Sequence, residues 1–455
     1  MPSFIRRERM QSRIRFPGAS IRLPCAARRY RAICLLVFLT TGPLTGVSAA
    51  SLPPSGGVGQ TLTLRQAIDL SLAADPQLKA GALEIEAGGA RVTQARLSPN
   101  PEASIEVEDS LGSGGYHGFS RTQTTLQISQ LFELGGKLER RVDAASASRR
   151  VAVADQEVLK LDIMAATTGA YIAMLGAQKR LAIAESRLDR ASRLVPGLKR
   201  QVQAGASSPV EVTRGQVSVD LARIEVDRAR ATVATARRTL ANRVGPATPA
   251  FQSVAGDLDR VAPPPPLQSV LLDFDANPRL TRWNVLGLQR DAELGVQRSL
   301  ATPDLTVGIG PRRYSETNDT GVVFSLSMPI PVNNRNQGAI VEARRELEKV
   351  GQDKEAARTA LYRDVSDAYG ELQAAWDEIG RLNDAVLPAA RKAMSGVESG
   401  YRQGRFGVID LLDAQNTVSE AESRLGDALV AYHSAVARIE GLTARPLAIP
   451  AQARN

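Results

Sequence analysis

The sequence predicts a mainly α-helical fold with a membrane β-barrel part. Three observations predict it: an internal duplication, two pairs of strands with period-two alternation, and very long stretches with helical heptad spacing. Each half of the chain contains a helix, a strand hairpin, a long helix and a returning helix, so the helices should form a long coiled-coil tunnel. Four strands cannot close a barrel, because small barrels need about eight. We therefore expect four barrel strands per chain, and twelve in a homotrimer.

The duplication emerges when the chain is compared with itself. Residues 74–78, ADPQL, recur as ANPRL at 276–280, and residues 126–137 match 324–335. The segment APPPP at 262–266 separates the halves and is typical of a stiff linker.

These boundaries divide the chain into predicted segments. We predict a signal peptide at 1–50, a first repeat at 51–261, a second repeat at 262–445 and a tail at 446–455. In the first repeat we expect strands at about 101–111 and 120–132, a long helix at about 136–203 and a return helix at about 209–244. In the second repeat we expect strands at about 303–311 and 320–331, a long helix at about 336–403 and a return helix at about 408–443.

The strands alternate apolar and polar side chains. Ile105 and Val107 alternate with Ser104 and Glu106. The second pair has the same pattern, with apolar Val322, Phe324, Leu326 and Met328. An apolar face toward lipid and a polar face inward characterise membrane barrel strands. Two surface hairpins of a soluble protein would show the same alternation, so the strands alone leave both interpretations open.

The long helices favour the barrel interpretation. Between Lys137 and Gln203 the only proline is Pro196. At 1.5 Å per residue such a helix approaches about 100 Å. From Leu411 to Leu442 apolar residues follow a 3,4 spacing with frequent alanines, a heptad seam that lets antiparallel helices pack closely.

The first 50 residues resemble a secretory signal peptide, with a basic leader, an apolar stretch and small residues before residue 51. They contain nine of the 57 basic and one of the 48 acidic residues, so the remaining chain is nearly neutral. That balance argues against nucleic-acid binding, which needs a clustered basic surface. Both cysteines, Cys25 and Cys34, also lie there, which excludes disulfides and thiolate sites from the exported chain.

The segment YRQG at 401–404, followed by VIDLLDAQ at 408–415, completes a pattern with the duplicated blocks. Together they resemble the TolC-like outer-membrane efflux family over nearly all of residues 62–445. The resemblance implies a homotrimer with a twelve-stranded barrel in outer-membrane lipid and a long periplasmic tunnel. It also implies two partners at the far tip: a periplasmic adaptor (membrane fusion protein) and an inner-membrane RND pump.

Four further stretches resemble the cobalt-zinc-cadmium resistance branch of that family. They are 98–101 (SPNP), 130–137 (QLFELGGK), 204–209 (AGASSP) and 329–338 (PIPVNNRNQG). This likeness implies passive export of heavy-metal cations through the outer membrane. Export of drugs or other small molecules by the same fold is the first alternative. A periplasmic coiled-coil adaptor is the second.

Two acidic residues correspond to the family's periplasmic entrance. Asp410 and Asp413 would form rings of up to six carboxylates in a trimer, which favour cations at a constriction. Acids in a first helical turn also simply complement the helix dipole. Glu211 is the repeat partner of Asp410, and for it we favour a capping box with Ser208 over a gating role.

Glycines and aromatic residues mark the two ends of the predicted molecule. Gly205 and Gly404 lie where the long helices turn, and glycine allows the left-handed conformation that helix ends need. With Tyr401 they fall where the family docks its adaptor. Tyr116, Phe119 and Tyr314 flank the outer hairpin loops, either as interfacial aromatics at the outer leaflet or as loop residues without that role.

No catalytic constellation is evident, so we do not expect an enzyme. Gly135, Gly136 and Lys137 lack the rest of a phosphate-binding loop. The two histidines, His117 and His433, have no second ligand nearby in the sequence. We therefore predict no cofactor and assign no metal-binding residue.

Overall fold

The computed structural model describes residues 60–245 and 251–447. The predicted signal peptide and the tail from residue 448 onward lie outside the described residues. The first half contains β1 (Gln60–Leu62), α1 (Leu64–Ala74), α2 (Pro76–Ala95), β2 (Glu102–Glu108), β3 (Gln123–Phe132), α3 (Lys137–Gln203) and α4 (Pro209–Val244). The second contains β4 (Phe251–Val254), α5 (Leu267–Val270), α6 (Pro278–Ser299), β5 (Leu305–Tyr314), β6 (Thr320–Ser327), α7 (Gln337–Arg381), α8 (Leu387–Arg402) and α9 (Val408–Thr443).

The two halves begin their repeats with the same local chemistry. Asp75 and Asn277 are the N-caps of α2 and α6, and each side chain accepts a hydrogen bond from a backbone N–H of the first turn. Pro76 and Pro278 follow as the first helical residues, where a missing N–H costs nothing. The duplication seen in the sequence is therefore also a duplication of helix starts.

A tyrosine in each long helix provides a second structural match. The Tyr171 hydroxyl donates to the Leu62 carbonyl oxygen at 2.9 Å, and the Tyr369 hydroxyl donates to the Pro265 carbonyl oxygen at 2.9 Å. Each bond holds the irregular chain around the small β1–β4 pair or the proline linker against a long helix. The two tyrosines are 198 residues apart, which is also the separation between the matching segments 126–137 and 324–335.

A π-helical turn, Leu382–Val386, joins α7 to α8. From Lys137 to Gly205 there are 68 positions, whereas from Arg335 to Gly404, their repeat partners, there are 69. A π turn holds one residue more than an α turn because its hydrogen bonds run to the fifth residue. It therefore absorbs the extra residue, and the buried faces match again below it: Ala191 and Ala390 are both buried.

The core follows the helix pairs. Helix α3 packs against α2, α4, α6 and α9, and α9 packs against α7 and α8. The largest cluster lies between α7 and α9 and contains Leu372, Ile379, Leu429, Tyr432 and Ile439. The helical layer thus runs in the order α4, α3, α9, α7–α8, and this order leaves α4 and α7–α8 at its two sides.

The second sheet is antiparallel with strand order β2-β3-β5-β6. One face carries exposed apolar side chains: Ile105, Val107, Leu126, Ile128, Val307, Ile309, Val322, Phe324 and Leu326. The other face is polar or small, and there the Gln127 side chain lies across Gly308, which has no Cβ to obstruct it. An outward apolar face and a polar inner face match the alternation expected of membrane barrel strands.

A buried ion pair holds the sheet to the long helix. The Lys137 ammonium lies 2.6 Å from an Asp304 carboxylate oxygen, which also accepts from the Leu134 N–H at 3.1 Å. The side chain of Lys137 is 7% exposed and that of Asp304 is 24% exposed. Gly135 beside them has a φ of 71° and would collide with Thr302 if it carried a Cβ. This junction fixes how β3 turns into α3.

Among the described residues, α3 alone is long and apolar enough to cross a membrane by length and composition. The same helix packs against five neighbouring helices, α1, α2, α4, α6 and α9. Its Lys179 also pairs with Asp259 at 2.7 Å. These contacts are those of a helix within a bundle.

Replacing Lys137 with methionine should destabilise the junction. The change leaves the partly buried Asp304 carboxylate without its cation. Because this carboxylate keeps some exposure to solvent, we expect a loss of about 2–3 kcal/mol in the free energy of unfolding. Guanidinium unfolding of the purified protein measures the loss. The control is Lys160→Met, which breaks an exposed i,i+3 pair with Glu157 and should cost under about 0.5 kcal/mol. Equal losses in the two variants would contradict the role of burial.

Candidate functional site at the helix tips

The two long helices end in turns of matching geometry, residues 204–208 and 403–407, called here the tip turns. Gly205 and Gly404 have φ values of 69° and 73°, the left-handed conformation expected at these positions. In each turn the residue after the glycine donates its N–H to a carbonyl oxygen five residues earlier: Ala206 to Gln201 at 2.9 Å and Arg405 to Gly400 at 2.8 Å. This bonding closes each helix end and exposes the turn.

Tyr401 joins the two helices that lead into the tip turns. Its hydroxyl donates to the Gln201 side-chain oxygen at 2.7 Å, which connects α8 to the last turn of α3. Burial raises the pKa of the Tyr401 phenol, and the negative charge of Glu211 raises it further, whereas the bond to Gln201 lowers it. The structure thus brings together Tyr401 and Glu211, two residues separated by 190 positions in the sequence.

The capping box predicted for Glu211 is wrong. The Ser208 hydroxyl accepts from the Val210 N–H at 3.4 Å, so Ser208 does cap α4. The Glu211 carboxylate does not return to the Ser208 backbone but accepts a hydrogen bond from the Ser207 hydroxyl. The reciprocal bond is missing because Ser207, one residue earlier, offers a stronger donor within reach. Glu211 is therefore held beside Tyr401 instead of closing the helix start.

The acidic pair divides into two roles. An Asp410 carboxylate oxygen accepts from the Gly407 N–H at 2.8 Å, so Asp410 caps α9 as the helix-dipole interpretation expects. Asp413 lies three residues further along α9 and is exposed. Asp410 is also exposed, so both carboxylates face solvent in one chain.

Sequence reasoning missed Phe406. Its ring packs on Gly400, where any side chain would collide with it, and it is still 46% exposed. The tip turn of the second half therefore presents an aromatic ring, whereas the first presents Ser207 at the equivalent place. The signal available in the sequence was a glycine one helical turn before Gly404.

The predicted aromatic residues lie in or beside the hairpin loops, at the ends of the strands that point away from the long helices. Tyr116 and Phe119 lie between β2 and β3, and Tyr314 ends β5; all three are exposed. The Arg121 guanidinium lies 5.5 Å from the centre of the Tyr116 ring. The Ser315 N–H donates to the Thr122 carbonyl oxygen at 3.0 Å and joins the two loops.

Neither histidine forms part of a site in the described chain. The His433 Nε2 lies 3.0 Å from the Leu258 carbonyl oxygen, and burial lowers the pKa of its imidazole. His117 Nδ1 lies 3.2 Å from the Gly114 carbonyl oxygen. Within residues 60–245 and 251–447 no group of three or more histidine, cysteine or acidic side chains could hold a metal ion.

The sequence pattern of outer membrane efflux proteins matches residues 67–246 and 282–445, one match for each half. The chain belongs to the outer membrane efflux protein family. Its sequence is 32% identical over 401 residues to the cobalt-zinc-cadmium resistance protein CzcC of Cupriavidus metallidurans, a match that covers 88% of this chain and 94% of that one. It is 26% identical to the nickel-cobalt-cadmium resistance protein NccC of Alcaligenes xylosoxydans, over 73% of this chain and 74% of the relative.

Solved structures of membrane proteins share the fold. A channel structure of CusC superposes with a TM-score of 0.69 at 18% identity and covers 87% of this chain and 95% of its own. A membrane protein of Pseudomonas aeruginosa superposes with a TM-score of 0.68 at 20% identity, over 84% and 93% of the two chains. The predicted resemblance to the TolC-like family and its heavy-metal branch is confirmed, as is the predicted helical tunnel with a barrel part.

Tyr401→Phe should loosen the tips of this outer membrane efflux protein. The change removes one hydroxyl and its bond to Gln201, worth about 1 kcal/mol, but retains the ring. We expect a higher open probability in planar bilayers. The control is Tyr362→Phe on α7, which lies far from the tip turns in the sequence and in the fold. Identical records for wild type and Tyr401→Phe would contradict a holding role for this bond.

Proposed function

We propose that this protein is the outer-membrane channel subunit of a tripartite efflux system, through which heavy-metal cations leave the cell passively. The observation that carries the substrate class is the 32% identity, over 94% of the relative, to a protein named for cobalt, zinc and cadmium resistance. A third metal-resistance relative, named for nickel and cobalt, is 29% identical over 66% of this chain.

The sheet supports a position in the outer membrane. Its exposed apolar face includes Phe324, which is 76% exposed, and Ile105, which is 71% exposed. Contact with water is unfavourable for such apolar side chains, whereas contact with lipid would stabilise them. Strands β2 and β6 are the edges of a sheet of only four strands, which is too few to close. A homotrimer supplies twelve strands and a closed barrel, in which every strand edge is paired.

The long helices support a periplasmic extension that meets partners. Helix α3 has 67 residues, a length of about 100 Å. The two tip turns lie at the end of the long helices that is remote from the strands. In this arrangement they face away from the membrane. We infer that they contact a periplasmic adaptor and, through it, an inner-membrane RND pump that supplies the energy. A duct of this kind needs neither a catalytic residue nor a cofactor.

Asp410 and Asp413 supply the electrostatics of the proposed entrance. Three copies bring up to six carboxylates to one constriction, where like charges repel one another and attract cations. Asp410 is committed to capping α9, so its carboxylate is held in place. Asp413 is free of that bond and is the better probe of selectivity. A duct should hold its cargo weakly, because tight binding would stop release.

Asp413→Asn should reduce cation selectivity in planar bilayers. The substitution removes three charges per trimer at nearly constant size, so the reversal potential in a salt gradient should shift toward zero. The control is Glu420→Gln, two turns along α9, where the acid is exposed and paired with Arg424 at 2.9 Å. We expect the control to match wild type. An unchanged reversal potential in Asp413→Asn would contradict the assignment of Asp413 to an acidic ring at the entrance.

Deleting the gene should sensitise the cell to divalent metals. Growth inhibition is measured for cobalt, zinc, cadmium, nickel and copper beside a panel of drugs and dyes. We expect sensitivity confined to metals, restored by the wild-type gene on a plasmid. Sensitivity to drugs alone would retain the channel and overturn the substrate class. A product found as soluble protein in the periplasm would favour the adaptor alternative instead.

A further inference from the structure

A cleft lies where α1 turns into α2, beside the middle of α3 and the last turn of α4, and is called here the corner cleft. Its volume is about 480 Å³. The stretch of α3 from Lys137 to Thr167, which lies in the wall of the cleft, covers about 45 Å. Neither the strands nor the tip turns therefore contribute to it. The side chains that give the cleft its character are those of Asp75, Lys79, Ile163, Thr167, Asn242 and Arg243.

Two cationic side chains line the corner cleft. The Lys79 ammonium lies 3.4 Å from the Ala74 carbonyl oxygen, and Arg243 lies in the last turn of α4. Neither cation forms an ion pair within residues 60–245 and 251–447. Asp75 is the one acid among the residues that line the cleft, and its Oδ1 accepts from two backbone N–H groups at the start of α2, at 2.7 and 3.2 Å. The lining side chains therefore carry a net charge of +1.

Thr167 adds a buried hydroxyl to the wall of the corner cleft. Its relative exposure is 0%, and its Oγ1 has no hydrogen-bond partner in the part of the chain that the structure describes. Buried polar groups are nearly always paired, because an unpaired one loses its hydration without compensation. A hydroxyl can donate to the oxygen of an anion, so a ligand of that kind in the cleft would give Thr167 its partner.

The corresponding corner of the second repeat has apolar side chains in these places. Repeat partners are 198 residues apart on the long helix and 199 apart on the return helix, so Thr167 corresponds to Val365 and Arg243 to Leu442. Val365 is fully buried, and Leu442 and Phe274 pack in the same apolar cluster. The second repeat thus fills with hydrocarbon the space that the first repeat leaves open and polar.

A hydrogen bond that closes the second corner cannot form in the first. The Asn277 side-chain amide donates to the Leu442 carbonyl oxygen at 2.7 Å and ties the start of α6 to the end of α9. Its repeat partner is Asp75, whose ionised carboxylate has no hydrogen to donate. Thr281 likewise stands in the second repeat where Lys79 stands in the first. The start of α2 and the end of α4 therefore lack this tie, and the cations lie in the gap.

Arg243 has one further role, since a basic residue in a last turn complements the helix dipole. This role does not account for the corner cleft. Helix α9, which ends in the same way, has no basic residue in its last turn. A return helix of this chain therefore ends without a cation when its corner is filled, and the cation is found where the corner is open.

We propose that the corner cleft binds a small organic carboxylate, held by Arg243, Lys79 and Thr167. The planar guanidinium of Arg243 matches the two oxygens of a carboxylate, and the ammonium of Lys79 adds a second charge-assisted donor. A single negative charge balances the net charge of the lining, whereas Asp75 would repel a doubly charged anion. A volume of about 480 Å³ lies in the range of small-molecule sites, and Ile163 offers an apolar surface to the body of the ligand. The whole cleft lies within one chain, so this inference does not rest on the proposed function.

Binding of para-fluorobenzoate to the purified protein tests the site. The fluorine NMR line of this probe should broaden on addition of the wild-type protein. Arg243→Leu and Lys79→Thr, which give these positions the chemistry of the second repeat, should each raise the Kd about tenfold because each removes a charge-assisted contact. The control is Arg238→Leu, an exposed arginine of α4 that donates to Thr235 at 3.3 Å and lies outside the cleft. We expect the control to bind the probe as wild type does.

Thr167→Val separates a ligand-binding role from a structural one. The change removes a buried hydroxyl that has no partner, so the Tm of the ligand-free protein should not fall. The rise in Tm that para-fluorobenzoate gives the wild-type protein should nevertheless be smaller in this variant, because a ligand stabilises in proportion to its affinity. An equal rise in both proteins would contradict the place of Thr167 in the site.

Competition experiments decide the class of ligand. Acetate should displace the probe from the wild-type protein, and sulfate at the same ionic strength should displace less of it. Equal or stronger displacement by sulfate would overturn the carboxylate class. Equal line broadening by wild type and by the double variant Lys79→Thr, Arg243→Leu would overturn the site, since the probe would then be held by detergent or by another surface.

Discussion

Strand edges cannot remain open in a membrane. Each unpaired backbone N–H or carbonyl group there costs several kcal/mol, because lipid offers no replacement for water. The sheet of this chain has an exposed apolar face and two edges, β2 and β6. Such a sheet is stable in lipid only when other copies cover both edges. The homotrimer that we propose, with its closed barrel, would meet that requirement.

The duplication makes this requirement easier to satisfy. Because the two halves have the same order of elements, a junction between copies can use the geometry of the junction within a copy. Tyr171 and Tyr369 show how closely the halves agree, since each holds irregular chain against a long helix in the same way.

Much of this architecture could be predicted from the sequence. Period-two alternation and heptad spacing depend on short-range rules, and a duplicated block supports each element twice. Gly205 and Gly404 were identifiable because a helix turn needs a left-handed residue. The bond from Tyr401 to Gln201 was not, because it joins residues 200 positions apart and depends on how the helices pack.

Other features depended on details that a pattern does not record. The capping box at Glu211 failed because two adjacent serines compete for one carboxylate, and spacing alone does not decide between them. In the sequence Phe406 has the context of an ordinary turn residue. Only the packing of its ring on Gly400 distinguishes it. The sequence shows that the separation between repeat partners changes from 198 to 199 residues. It does not show that the extra residue lies inside a continuous helix.

That place has a mechanical consequence. Each residue added to an α-helix rotates everything beyond it by about 100°, so an uncompensated insertion would turn the buried face of α8 away from α9. The wide turn at Leu382–Val386 takes up that rotation, and the buried faces on its two sides stay aligned. The 16 residues of α8 therefore keep their buried face on α9, although the long helix of the second half carries one residue more than that of the first.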